Sequence, residues 1–410
     1  MEVVKTKIQR YNEYKNSGVK WLEEVPSHWE VKRFKHIFKE KKITHDVKLN
    51  CGSISFGKVV FKDDEKVPVS TKKSYQVLNK GEFLINPLNL NYDLKSLRIG
   101  LSDKNVVVSS GYIIVQNVAE LSKVYYKWLL HIFDIAFMKT LGSGVRQTLS
   151  FAHIANSELV FPPLKEQSKI AQFLDDKTTK IDAAIAIKKQ QIKLLKERKQ
   201  ILIHKAVTQG LNPSVTLKDS GVEWIGAIPE HWEVKRFKFL CDITTGSKNT
   251  QDKVKSGLYP FYVRSQTPEK INTYTFDGEA ILTAGDGAGV GKVFHYLNEK
   301  FDFHQRVYKF SNFKNIEGKL LFYYLRSSFH NVALNGEAKS TVDSLRLPLI
   351  QNFMVTIPSS KEQLEIIERI ENASQKIETA ISLKQQEIAK LKEYNSSLIN
   401  SVVTGKVKVC

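Results

Sequence analysis

Two stretches of the chain, each about forty residues long, set apolar residues at alternating spacings of four and three. In the first the positions are Ile181, Ile185, Lys188, Ile192, Leu195, Lys199, Leu202 and Ala206. In the second they are Ile377, Ile381, Lys384, Ile388, Leu391, Asn395, Leu398 and Val402. Six of the eight are apolar in each and the register is the same, which predicts coiled-coil seams on two long helices. Pro162 and Pro358 mark the starts, and Gly210 and Gly405 are the expected stops. At 1.5 Å per residue each helix would span roughly 60 Å. Two matched seams in one chain can pack on each other, and antiparallel pairing is the expectation. Lys188 and Lys384 interrupt both seams at the same place. Snorkelling stems account for them, and a register-setting polar pair is the sharper alternative.

Away from these stretches the pattern is mixed. VVVSSGYIIVQ (Val106 to Gln116) and HQRVYKF (His304 to Phe310) read as corresponding strands. KVYYKWLLHIF (Lys123 to Phe133) and KLLFYYLRSSF (Lys319 to Phe329) read as corresponding helices. The doubling extends further. SGVKWLEEVPSHWEVKRFK (Ser17 to Lys35) returns as SGVEWIGAIPEHWEVKRFK (Ser220 to Lys238), identical at thirteen of nineteen positions. The helical block from Pro162 to Gly210 matches that from Pro358 to Gly405. The segments between the matched blocks, about 38–161 and 239–357, resemble each other only faintly. The chain is therefore two copies of one frame holding two different inserts. The expected fold is α+β: two mixed recognition domains separated by two long antiparallel helices in a coiled coil, with a pseudo-two-fold internal repeat. The expected divisions are 1–160, helix 161–210, linker 211–220, second domain 221–357, and helix with tail 358–410.

Composition narrows the function. Of 410 residues, 42% are hydrophobic and 26% charged, as in globular chains, and the net charge of +19 favours a polyanionic partner. No apolar run approaches the ~20 residues that span a bilayer, and the beginning MEVVKTKIQR has no apolar signal core. A cytoplasmic location follows as the expectation. Cys51, Cys241 and Cys410 are far apart and lack zinc spacing, so they read as reduced thiols.

Three motifs imitate chemistry and fail. GDGAGVGK (Gly285 to Lys292) breaks the Walker A rule at Asp286 and Val293, and reads as a glycine-rich turn between strands. INPLN (Ile85 to Asn89) lacks the second proline and the aromatic of an adenine methyltransferase motif. Glu30-Val31-Lys32 and its repeat Glu233-Val234-Lys235 are half of a nuclease metal site. The upstream carboxylates Glu23 and Glu24 become Gly226 and Ala227 in the second copy, so an alternating strand is the better reading. The histidines, His28 and His231 among them, show no metal or triad spacing and are expected to be structural. Catalytic and metal-binding residues are expected to be none.

The blocks SGVEWIGAIPEHWEVKRFK, FPPLKEQSKIAQFLD and the linker VTQGLNPSVTLKDSGVEW resemble the conserved regions of type I restriction–modification specificity subunits. The resemblance covers essentially the whole chain, in the family's order. PSSKEQ in the second copy, for PPLKEQ in the first, is a minor departure. The resemblance implies a non-catalytic DNA-binding subunit with two target recognition domains, each reading half of a bipartite, asymmetric site. It implies helices that set the spacer and dock two modification (methyltransferase) subunits. S-adenosylmethionine, ATP and Mg would then be bound by partner subunits, including the restriction translocase/nuclease, and no cofactor by this chain.

Base edges are read by Arg, Lys, Asn and Gln. The candidate DNA-binding residues of the first insert are Asn86, Asn89, Asn91, Tyr92 and Arg98 in a polar loop, with Arg146 and Gln147 in a glycine-flanked turn. Those of the second are Lys248, Asn249, Arg264, Gln266, Asp286, Lys292, Gln305, Arg306 and Lys339. The lysines between Lys32 and Lys42 suit phosphates, which position without specifying.

Overall fold

The computed structural model describes residues 9–88, 97–140, 149–329 and 344–409. It divides into two compact units, Met1–Ile187 with Glu387–Cys410, and Lys188–Gln386. Both divisions fall inside the long helices, Leu164–Gln209 and Ser360–Val403.

In the first unit an antiparallel four-stranded sheet runs in the order Phe38–Glu40, Ile113–Asn117, Phe83–Ile85, Ile99–Leu101. Ile85, Ile99, Ile113, Ile114 and Val115, with Phe38 and Phe83, form it, as branched and aromatic side chains pack well on a pleated surface. Helix Lys123–Ala136 begins at Ser122, whose hydroxyl accepts from the Tyr125 amide at 3.3 Å. Its Tyr125, Tyr126 and Phe133 are fully buried among Trp29, Phe34, Phe38 and Phe83. That core also takes Ile170 and Leu174 near the start of the first long helix and Ile399, Val402 and Val403 at the end of the second. The start of one helix meets the end of the other, so the pairing here is antiparallel.

The second unit carries a six-stranded sheet in the order Asp242–Thr245, Val307–Ser311, Phe276–Ala284, Phe294–Phe303, Tyr259–Tyr262, Glu269–Ile271. Only the pair Phe294–Phe303 with Tyr259–Tyr262 is parallel. Along Phe276–Ala284 the side chains alternate: Ile281 faces one core, with Trp232, Phe237 and Phe310, while Ala280 and Leu282 face a second core with Phe301 and Phe303. Helix Gly318–Ser328 packs Leu320, Leu321, Tyr324 and Leu325 into the first core. So do Ala206 and Val207 from the end of the first long helix and Ile366 and Ile370 from the start of the second. Lys199 Nζ lies 2.9 Å from Glu378 Oε1. The pairing is antiparallel in this unit too.

The anticipated helices stand where the repeat put them, but the segment Val106 to Gln116 divides into two strands: Val106–Val108 pairs with Gln76–Leu78 in a separate sheet, and Ile113–Asn117 alone corresponds to Val307–Ser311. Ile113–Asn117 and Val307–Ser311 each lie between the first and a middle strand of their sheets. All sixteen seam positions are buried or half-buried, with Ile181, Ile185, Ala206, Ile377, Ile381 and Val402 buried. Gly405, at φ +79°, and Gly210, at φ +77°, follow the helix ends, where the left-handed conformation closes a helix without Cβ strain.

Candidate nucleic-acid interface

Four turns at one edge of the six-stranded sheet bring six of the candidate residues of the second insert together. Arg264 lies on the bend after Tyr259–Tyr262, and Asp286 in the turn after Phe276–Ala284. Gln305 and Arg306 form the turn before Val307–Ser311, and Lys248 and Asn249 follow Asp242–Thr245. Arg264 Nη1 donates to Asp286 Oδ1 at 2.9 Å and Arg306 Nη1 to Oδ2 at 2.5 Å. The carboxylate is enclosed, with 11% of its side chain exposed, while the two arginines stand 44% and 61% exposed. Asp286 is thus a bracket that fixes one edge of each guanidinium and leaves the rest in solvent. Burial works to raise its pKa, but the bonds from Arg306 and Arg264 prevail and hold it below the ordinary carboxylate value.

The neighbouring turns add to the bracket. Gln305 donates its amide N–H to the Lys248 carbonyl at 2.8 Å and its side-chain amide to Asn249 Oδ1 at 2.6 Å. His304 is buried, and its Nδ1 accepts from the Arg306 amide at 3.0 Å. Desolvation, with Arg264 and Arg306 nearby, lowers its pKa and favours the neutral ring. The turn Gly285 to Lys292 connects two strands, as its glycines suggested. Its composition has a packing reason: a Cβ at Gly289 would sit 2.6 Å from the Arg264 carbonyl, and one at Gly285 3.0 Å from that of Arg306. Gln266 and Lys292 are exposed on the same turns. The edge therefore offers several donors in a fixed array, with a cationic excess, to an acceptor such as a guanine edge or a phosphate.

The first insert is different. Asn86 is spent locally, its Oδ1 accepting from the Leu88 amide at 3.0 Å and its N–H donating to the Arg98 carbonyl at 2.8 Å. Arg98 requires a correction: it is buried, with Nε bonded to Asp134 Oδ1 at 2.9 Å. Its own amide donates to Asp134 Oδ2 at 2.6 Å. Asp134 lies thirty-six positions on, in helix Lys123–Ala136, so no local pattern marks the pair. Arg98 is an internal ion pair and not a surface donor. Asn89, Asn91, Tyr92, Arg146, Gln147 and Lys339 lie outside the described residues.

A duplicated polar joint, which the sequence did not single out, ties each repeated entry segment to its helix start. In the first unit Glu166 Oε1 meets His28 Nε2 at 2.7 Å, and Oε2 accepts from Trp29 Nε1 at 3.1 Å and Tyr11 Oη at 2.9 Å. In the second, Glu362 Oε1 meets His231 Nε2 at 2.9 Å and Trp232 Nε1 at 3.4 Å. The next residue is a staple in both. Gln167 accepts from the Ser122 amide at 2.9 Å and donates to the Pro162 carbonyl at 2.8 Å. Gln363 accepts from the Glu317 amide at 2.7 Å and donates to the Pro358 carbonyl at 3.0 Å. The signal for this joint was present: His-Trp and Lys-Glu-Gln are both repeated, His28 standing 138 positions before Glu166 and His231 131 before Glu362. Both histidines are thereby accounted for as structural groups.

The Glu-x-Lys segments are strands, Glu30–Arg33 and Glu233–Arg236, whose lysines pair with their own glutamates at 2.8 and 2.7 Å. Among the described residues no cluster of histidine, cysteine or acidic side chains has metal-binding geometry. Cys51 and Cys241 are free and buried, and burial pushes the Cys241 thiol up to about 12. No helix among the described residues is long and apolar enough to cross a membrane.

Comparison with known proteins places these features in context. The family model described as "Type I restriction modification DNA specificity domain" matches the chain twice, over residues 26–197 and 229–393. The MjaVIII specificity subunit of Methanocaldococcus jannaschii, a type I restriction enzyme component, is 26% identical over 356 residues, covering 81% of this chain and 77% of that protein. A chain solved in work on complex assembly and conformational transition of the type I R-M system superposes with a TM-score of 0.71 at 16% identity, covering 92% of this chain and 98% of that one. The HsdS subunit from Thermoanaerobacter tengcongensis gives 0.54 at 14% identity, over 93% and 98%. At these identities the structural likeness is one of fold.

Proposed function

Because this chain belongs to the type I restriction–modification DNA specificity family, carrying the family's domain twice, we propose that each unit reads one half of a bipartite, asymmetric DNA site. The observation that carries this is the contrast within the repeat: an equivalent joint in both units, but a four-stranded sheet in one and a six-stranded sheet in the other. Readers of two different half-sites need a common frame and unlike surfaces. The chain itself performs no chemistry. Methyl transfer from S-adenosylmethionine and ATP- and Mg-dependent cleavage belong to partner subunits, in the cytoplasm.

The long helices set the spacer and dock two modification subunits. Exposed apolar residues Ile187, Leu194 and Ile201 recur every seven positions on the first long helix, a stripe suited to a partner helix. In the second unit the edge built on Asp286 supports direct base readout by Arg264 and Arg306. Gln305, Asn249, Lys248, Gln266 and Lys292 flank it.

The test exchanges residues 39–160 for those of another specificity subunit and maps the methylated motif in cells. One half-site changes and the other stays. A change in both halves would defeat the two-reader model, and methylation or cleavage by the purified chain alone would defeat the non-catalytic one.

A further inference from the structure

The hairpin Gly52–Ser55 with Lys58–Phe61 pairs Ser55 with Lys58, leaving Phe56 and Gly57 as a two-residue turn. Both have positive φ, +46° and +74°. A turn that needs positive φ at both central residues favours Asn, Asp or Gly in the first, because a Cβ is strained there. Phenylalanine breaks that rule, and burial does not compensate: Phe56 is 73% exposed.

The turn is not loose. The Gly57 carbonyl oxygen lies 2.8 Å from where a Cβ on Gly100 would be, and a Cβ on Gly57 would meet Leu97 at 3.2 Å. The tip is thus seated on strand Ile99–Leu101, and the Phe56 ring is held out by a fixed support. Lys58, in the pair that closes the turn, is exposed beside it. Lys62 lies at the base of the hairpin, where its amide donates to the Cys51 carbonyl, and Lys104, paired with Asp103 at 2.7 Å, has its Nζ 5.2 Å from the exposed ring of Phe61. The nearby acids are occupied, Asp63 by Lys66 at 3.0 Å and Asp64 by Lys72 at 2.7 Å. A strained, exposed aromatic seated on a strand beside Lys58 has the form of an apolar wedge for stacked bases, with a cation for an adjoining phosphate.

We propose that Phe56 inserts at one base step of the half-site read by the first unit, with Lys58 on an adjoining phosphate. This rests on the DNA-reading function proposed above. The strain at the tip is retained because the ring acts on DNA and not on the fold.

The test uses the full chain assembled with its modification subunits, wild type and F56N, on duplexes carrying the mapped site. Asn is favoured at this turn position, so F56N should melt at the wild-type temperature or above it. Its affinity for the cognate duplex should fall roughly 5- to 150-fold, the range of one aromatic–base contact. 2-Aminopurine placed at successive steps, away from the methylated adenine, should brighten at one step with wild type and at none with F56N. Wild-type discrimination of the site together with unchanged F56N affinity overturns the wedge and leaves DNA reading intact. A wild-type complex that does not discriminate overturns both. Failure of F56N to assemble with the modification subunits overturns the wedge in favour of a protein contact.

Discussion

The joint in the first unit and the joint in the second solve one problem with different helpers. Glu166 and Glu362 each hold a histidine and a tryptophan. The oxygen that Tyr11 satisfies in the first joint is satisfied in the second by Ser359, through its hydroxyl at 2.8 Å and its amide at 3.1 Å. Ser359 and Glu362 form a capping box there, and Pro163 occupies the Ser359 position in the first copy. The PPLKEQ-to-PSSKEQ departure thus exchanges one donor for another around a carboxylate that must be saturated. A half-buried carboxylate without donors is costly, so the constraint falls on satisfaction, and the identity of the donor is free to drift. The sheets are under no such common demand, and they have diverged in strand number.

The largest effect that can test this equivalence is loss of the joint tryptophan. Trp29→Ala and Trp232→Ala, both at fully buried positions, should each cost about 3–5 kcal/mol. Hydrogen exchange should localise the loss to the mutated unit. Equal losses in both units would show a coupling that two alike but separate joints do not predict. Next comes the contrast between the reading edges. Arg306→Ala or Arg264→Ala should weaken cognate binding by about 1–3 kcal/mol and relax specificity in one half-site only. Asp286→Asn, which frees both arginines without removing them, should cost less than either in the same binding assay.

The two seams offer a gentler comparison. Lys199 and Asn395 hold corresponding places. Lys199 reaches Glu378, whereas Asn395 Oδ1 is buried with no hydrogen-bond partner among the described residues. Asn395→Leu should therefore stabilise the protein by about 1 kcal/mol in denaturant titration, and Lys199→Ala should cost well under about 1 kcal/mol, because the pair is part-exposed and screened.

The joints also share a pH response. Burial works to raise the pKa of Glu166 and Glu362, but the bonds from His28, Trp29 and Tyr11, and from His231, Ser359 and Trp232, outweigh it and hold both low. Their contribution is fully present above the unfolded glutamate value near ~4.3 and is lost as pH falls through the depressed folded values. Melting temperatures of Glu166→Gln and Glu362→Gln, followed from pH 6 downward, should each lose part of the acid limb seen in wild type. A wild-type limb retained in one variant alone would separate the two joints.

The doubled frame and the long helices were legible because they depend on periodicity and on turn residues, which are local. The seam at Ile181 and Ile377 and the stops at Gly210 and Gly405 follow from spacing alone. The glycine-rich turn was recognisable as a turn, yet its purpose was not. What Gly289 avoids is a carbonyl twenty-five positions away, and sequence order holds no record of that approach. Arg98 failed for the same reason. A polar neighbourhood suggested a surface loop, but its partner Asp134 comes from a helix whose inner face reads as apolar. The joint at Glu166 could have been found by asking why His-Trp and Lys-Glu-Gln recur together. Periodicity arguments pass over such isolated polar residues.

The close approaches of Gly285 and Gly289 separate what the backbone fixes at this edge from what the side chains display. Both glycines press on peptide carbonyls at 306 and 264, groups that every amino acid carries. These backbone approaches do not depend on which side chains positions 264 and 306 carry; what ties the two arginines to this edge is the enclosed Asp286 carboxylate. Exchanging residues 264, 286 and 306 as a set would change what the edge displays while the loops beneath keep their path.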